Sequence, residues 1–350
     1  MTIDRICTIG PASNNEETLS QLIKNGMRIV RLNLSHGSHE SHQEIIRLVK
    51  SLDDSIKILG DLQGPKIRLG VMKEEQITLQ AGDAFVLYTH LVEGSKEGVS
   101  VDYTGIANDV KVGNRILIND GAVELVVEKV SVEKIETRVQ IGGDIASHKG
   151  VNLPGANVSL PAITEKDKKD IQFLLGEGVD FIACSFVRQP SHIKEIRNFI
   201  QQQKATSPNL IAKIETMEAI ENFQDICKEV DGIMIARGDL GVELPYQMIP
   251  LLQKMMIHEC NRAIIYVITA TQMLQSMVDH SIPTRAEVTD VFQAVLDGTN
   301  AVMLSAESAS GGHPVESIKT LRLVSEFAEH VKKDGPFVMK DVLALLHKSI

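Results

Sequence analysis

The chain has 350 residues, enough for one large domain of roughly 250 residues and a second of about 100, and its 43% hydrophobic and 23% charged residues exclude a disordered or fibrous class. With 46 Asp and Glu against 36 Lys and Arg, a nucleic-acid surface is not expected, so an anionic ligand has to be held by a local basic cluster. No charged-then-apolar leader opens the chain and no apolar run approaches the ~20 residues of a membrane span, which makes the expectation a cytoplasmic protein with no membrane partner, its cysteines Cys7, Cys184, Cys227 and Cys260 reduced.

Eight short apolar runs recur: Arg5 to Ile9, Arg28 to Leu34, Ile56 to Leu62, Val179 to Phe186, Leu210 to Glu215, Gly232 to Ala236, Ile264 to Ala270, and Ala301 to Leu304. Helical patterns separate them, as at Thr164 to Asp167, a capping-box-like start before Ile171, Phe173 and Leu174. Alternating strands and helices imply parallel pairing through right-handed crossovers, and eight units close a barrel. The fold class is therefore α/β, a (β/α)8 TIM barrel. Between the third and fourth runs, residues 70–156 are β-rich, with turn signals at Gly82-Asp83, Gly113-Asn114 and Asp120-Gly121. They read as a small inserted β-barrel domain after strand 3, leaving from the rim where barrels keep their active sites and so placed to act as a lid. The barrel takes residues 1–69 and 157–335, and 336–350 form a tail.

Within Leu210-Ile-Ala-Lys-Ile-Glu215 two charges arrive on alternate positions, so Lys213 and Glu215 share one face at the C-terminal end of that strand. The next run brings Asp239 to the same rim behind Gly238. Glu215 and Asp239 suit a hard cation such as Mg²⁺, which is bound through one or two carboxylates with ligand oxygens and water; a rim salt-bridge network is the plainer alternative. Arg31, Asn33 and Ser35 also alternate onto one face, and Arg68 follows the third run. Two guanidinium forks on one rim match phosphate or carboxylate oxygens, again with pairing to rim acids as the alternative. Thr269 and Thr271 share a face near the end of the seventh run, which offers the Thr271 hydroxyl at the mouth. His36 reads as a loop or cap histidine, and Pro283-Thr-Arg-Ala-Glu287 as a helix start.

The segments Cys7-Thr-Ile-Gly-Pro-Ala-Ser13, Arg31-Leu-Asn-Leu-Ser-His-Gly37, Lys149-Gly-Val-Asn-Leu-Pro-Gly155, Ala212-Lys-Ile-Glu215, Ala236-Arg-Gly-Asp-Leu-Gly-Val-Glu243 and Ile268-Thr-Ala-Thr-Gln-Met273, in this order, closely resemble the pyruvate kinases from about residue 5 to 325. The resemblance implies phosphoryl transfer from phosphoenolpyruvate to ADP, giving pyruvate and ATP with Mg²⁺ or Mn²⁺. It also implies roles. Lys213 resembles the lysine that stabilises the phosphoryl group in flight, Glu215 and Asp239 the metal ligands, and Arg31, Gly238, Asp239 and Thr271 the substrate contacts. Thr271 orients a water relay for protonation of the enolate. Asn33, Ser35, His36, Arg68, Lys149 and the lid residue Asp120 resemble the nucleotide and phosphate side.

Many members of that family need K⁺ at residues matching Asn33, Ser35, Asp61 and a threonine, with a glutamate nearby; here the last two positions hold Leu62 and Lys66. The Lys66 ammonium is expected to replace the monovalent cation, so that K⁺ is not required. The family's C-terminal allosteric domain is expected to be absent, and a homodimer through barrel helices remains open. Two other readings compete: a metal-dependent lyase or aldolase acting through a pyruvate enolate, and a catalytically weak moonlighting or regulatory paralogue.

Overall fold

The computed structural model describes residues 2–203, 206–335 and 337–349. Eight parallel strands, β1 (Asp4–Thr8), β2 (Ile29–Asn33), β3 (Lys57–Asp61), β4 (Phe181–Cys184), β5 (Asn209–Ile214), β6 (Gly232–Ala236), β7 (Tyr266–Ala270) and β8 (Ala301–Leu304), close into one barrel in chain order. The runs are apolar almost throughout because both faces of each strand are covered. Ile6, Ile29, Leu59, Ile211, Met234 and Ile268 fill the interior, while the other faces pack with the surrounding helices into a larger core.

Local signals set the helix starts. Thr164 caps the helix Glu165–Gly176 with a full capping box through Asp167, and Thr284 does the same with Glu287 for the helix Arg285–Asp297. Asp167 is fully buried and also accepts from the Gly64 N–H at 3.0 Å. One carboxylate thus ties the helix start to the loop that carries Lys66.

The seventh run is shorter than its apolar stretch. Ile264 lies outside the strand as the left-handed cap of the helix Ile249–Ala263, at φ 59° and 93% exposed. Thr269 is fully buried and bonds Thr299 Oγ1 at 3.0 Å, whereas Thr271 lies past the strand end at φ 70°. The expectation that these threonines share a face at the mouth is corrected: the chain leaves extended geometry at Thr271 and the alternation stops there.

Between β3 and Glu165–Gly176 the chain forms a seven-stranded sheet in the order Ile67–Arg68, Gly150–Asn152, Arg115–Ile118, Val123–Val130, Lys134–Ile141, Ala84–Tyr88, Gly98–Ser100. Its first strand starts at Ile67, ahead of the boundary read at residue 70, and Leu69 and Val101 bridge its two edges. The bonds Gly70 N–H to Ser100 C=O at 2.7 Å and Asp102 N–H to Arg68 C=O at 3.0 Å complete the closure. The sheet curls back on itself around its own core of Leu69, Phe85, Leu87, Val99, Ile116 and Leu125.

Met339–Ser349 is helical where a tail was expected; Pro336 and Ile350, which bound that stretch, lie outside the described residues. Among the described residues no helix is long and apolar enough to cross a membrane.

Candidate active site

Every barrel strand delivers a polar residue at or just beyond its C-terminal end: Thr8, Asn33, Asp61, Ser185, Glu215, Arg237, Thr271 and Ser305. Parallel strands bring those ends to one rim. Level register sets Thr8 beside Arg31 and Asn33 beside Asp61.

Four charges alternate in sign across the mouth. Arg31 Nε donates to Asp61 Oδ2 at 2.7 Å, Lys213 Nζ lies 3.3 Å from Asp61 Oδ1, and the same ammonium lies 3.0 Å from Glu215 Oε1. Asp61 and Glu215 are each 1% exposed. Burial alone would raise the Asp61 carboxyl, but Lys213 and Arg31 outweigh it and hold it below its ordinary value. Burial would lower the Lys213 ammonium, yet Asp61 and Glu215 keep it above its ordinary value, so it stays charged. Glu215 goes the other way: burial, with the negative charge of Asp239, pushes it up to about 7 against the pull of Lys213 and the Phe186 N–H. A carboxyl raised by a like charge at its side is one that a cation between the two would stabilise in its ionised form. Two carboxylates are fewer donors than a Mg²⁺ ion takes, and water and ligand oxygens usually fill the rest.

Several groups that fix this row have no signal in the sequence. Ser185 Oγ accepts from Lys213 Nζ at 2.7 Å and donates to the Leu62 carbonyl at 2.7 Å. Thr8 Oγ1 accepts from Arg31 Nη1 at 2.8 Å. Arg237 Nη2 donates to the Thr271 carbonyl at 2.6 Å, its Nε to the Ala270 carbonyl, and its Nη1 pairs with Asp290 at 2.7 Å. That clamp holds a β-branched residue in the left-handed region, a strained conformation of the kind found at functional sites. Thr271 Oγ1 then accepts from the Gly238 N–H at 2.8 Å, which brings Gly238 and Thr271 together next to Asp239.

The other predicted residues divide between barrel and insert. Asn33 Oδ1 accepts from the Ser35 N–H at 3.2 Å and closes the turn that carries Ser35 and His36. Arg68 is tied into the insert, its backbone N–H on Asp102 and its Nη1 on the His148 carbonyl, and no described contact joins it to Arg31. The Lys149 carbonyl accepts from the Leu69 N–H on the same side. Lys66 Nζ lies 3.7 Å from Asp120 and 3.9 Å from Asp239, so its charge sits between lid and barrel; no described ion pair joins it to Asp61, whose two oxygens serve Arg31 and Lys213. Asn152 of the insert donates to Glu243 Oε1 at 3.4 Å. Burial and the charge of Asp239 push Glu243 up to about 7, with the Asn152 bond pulling the other way.

Two hollows flank the charged row. A cleft of about 810 Å³ is lined by Thr8, Pro11, Arg31, Asn33, His36 and His42, within the usual size of a small-molecule site. A smaller one of about 130 Å³ lies under the insert between Lys66, Asn152, Arg188, Thr216 and Glu243.

Residues 2–318 match the family model described as pyruvate kinase, barrel domain. The chain is 46% identical over 351 aligned positions to the pyruvate kinase of Staphylococcus aureus strain MRSA252, an alignment that takes in 99% of this chain and 60% of that protein. The pyruvate kinases of strains USA300 and NCTC 8325 match to the same extent. The chain thus spans about 60% of the length of these curated relatives. With the barrel and the charged row at its C-terminal rim, this chain belongs to the pyruvate kinase family.

Proposed function

We propose that the chain transfers the phosphoryl group of phosphoenolpyruvate to ADP, giving pyruvate and ATP. The observation that carries the proposal is Lys213, a largely buried ammonium held between Asp61 and Glu215 beside Asp239, which keep it above its ordinary pKa. The bond between phosphorus and the enol oxygen breaks while one to a terminal ADP oxygen forms, and catalysis of such a step is positioning and neutralisation of charge. Lys213 neutralises the charge on the phosphoryl oxygens. Arg31, already fixed by Asp61 and Thr8, keeps Nη2 without a protein partner among the described residues and binds substrate with it. Glu215 and Asp239 would hold Mg²⁺ or Mn²⁺, which when bound supplies further charge neutralisation at the phosphate. Thr271, clamped by Arg237, orients the water that delivers a proton to the enolate carbon.

The turn with Asn33, Ser35 and His36 faces the larger cleft and serves the nucleotide, with Arg68, Lys149 and Asp120 reaching it from the insert as a lid. The Lys66 ammonium, within 4 Å of Asp120 and Asp239, supplies the charge for which many members of the family need K⁺. The protein works in the cytoplasm, without nucleic-acid or membrane partners. Tyr246, Met248, Leu251 and Met255, exposed along consecutive helical turns, form the face of a homodimer through barrel helices.

Pyruvate release from phosphoenolpyruvate, ADP and Mg²⁺ in K⁺ and in tetramethylammonium tests this reading. ADP-dependent turnover that differs by less than about twofold between the two salts is the expected outcome. A many-fold activation by K⁺ would remove the Lys66 role, and no pyruvate from folded protein would remove the reaction.

A further inference from the structure

His42 lies in the first turn of the helix His39–Leu52, whose cap is Ser38. Side chains there point back toward the helix N-terminus, and the His42 ring does so far enough for Nε2 to lie 2.9 Å from the His36 carbonyl oxygen. A carbonyl only accepts, so Nε2 carries the proton and Nδ1 is left as an acceptor. Nδ1 is buried and has no hydrogen-bond partner among the described residues. An unmet acceptor is a cost that an apolar side chain of the same size would avoid, and the one described hydrogen bond of the ring is its donor to the His36 carbonyl.

That donor acts at the far end of a turn whose start is held by the Leu34 N–H on the Asp61 carbonyl at 2.9 Å, the Lys166 ammonium on the Leu34 carbonyl at 2.6 Å and the Ser35 N–H on Asn33 Oδ1. The His36 N–H bonds the Asn33 carbonyl at 3.1 Å, and Gly37 takes the left-handed conformation at φ 75°. A Cβ on Gly37 would lie 3.0 Å from Ser41 Oγ and 3.3 Å from His42 Nε2, so the helix start and the turn are packed against each other. Asn33, His36, Gly37 and His42 all line the cleft of about 810 Å³. Burial, aided by the nearby charges of His39 and Lys166, keeps the imidazole below its ordinary range against the His36 carbonyl and Asp170, so it stays neutral and the single donor is retained.

We propose that His42 is a positioning residue for the nucleotide: by holding the His36 carbonyl across Gly37 it fixes the Asn33–Gly37 turn on the cleft wall. This rests on the nucleotide-side reading given above. His42→Leu fills the space with no donor, and His42→Gln offers an amide N–H in its place. Calorimetric titration of the full chain with ADP and, separately, with phosphoenolpyruvate, both with Mg²⁺, separates the roles. His42→Leu is expected to weaken ADP by about tenfold and phosphoenolpyruvate by less than about twofold, with His42→Gln recovering most of the loss. Unchanged ADP affinity in His42→Leu, an equal loss of both ligands, or no recovery in a folded His42→Gln overturns the inference. If the unaltered chain binds no ADP, the nucleotide reading itself fails and takes this inference with it.

Discussion

At the scale of single residues the site is a matter of which charges are left uncompensated. Asp61 is saturated by two cations, but Glu215 shares one ammonium and faces Asp239, and among the described residues Glu243 has only the amide of Asn152. Glu243 shows the consequence most cleanly. Its carboxyl is raised from 4.5 to about 7, so between those values the folded chain holds a proton that the unfolded chain gives up. Stability therefore falls as pH rises through that window, and the cost is fully present above it. Glu243→Gln is expected to stabilise the metal-free protein by roughly 1–2 kcal/mol at pH 8 and by little at pH 4.5. Thermal unfolding at the two pH values checks this, and an equal gain at both would contradict it. Lys213, Glu215 and Asp239 were legible because strand alternation and rim position are written in the spacing. Ser185, Thr8 and Arg237 were not, since a single hydroxyl or arginine after an apolar run has many uses, and only the closed barrel shows that these three reach Lys213, Arg31 and Thr271.

The elements were readable where one local cause dominates. Apolar runs gave eight strands because both faces of a barrel strand are covered, and Thr164 and Thr284 marked helix starts because their side chains satisfy free N–H groups there. Reading failed where backbone conformation, which apolarity does not report, decides. Ile264 looks like the start of a strand and is instead a left-handed helix cap with its side chain in solvent. A β-branched residue there costs about 1–2 kcal/mol, while glycine loses roughly 0.5–1 kcal/mol more chain entropy on folding. Ile264→Gly is therefore expected to raise the unfolding free energy by up to about 1 kcal/mol in urea titration. A lower midpoint would show that the strain lies elsewhere. Thr271 has the same conformation, but Arg237 clamps it, so relief there is expected to cost function rather than help.

For the whole molecule, the eightfold repeat of strand and helix signals and the long β-rich interruption made the architecture legible, whereas the curl of the inserted sheet depends on the contact of Leu69 with Val101, far apart in sequence. The exposed face of Tyr246, Leu251 and Met255 leads to an expectation at this scale. Light scattering should give twice the 38.4 kDa chain mass, and Leu251→Glu should return the single-chain mass, because a buried unpaired charge opposes association; a clean monomer of the unaltered chain removes the dimer. In the proposed reaction Lys213 is the cation at the moving phosphoryl group. The most direct test of that role is the rate of pyruvate formation from phosphoenolpyruvate and ADP with Mg²⁺, compared between the unaltered chain and Lys213→Met. A fall in kcat of about 10³ or more, with the KM for phosphoenolpyruvate changed only a few-fold, is expected. A Lys213→Met chain that turns over at the unaltered rate would contradict it.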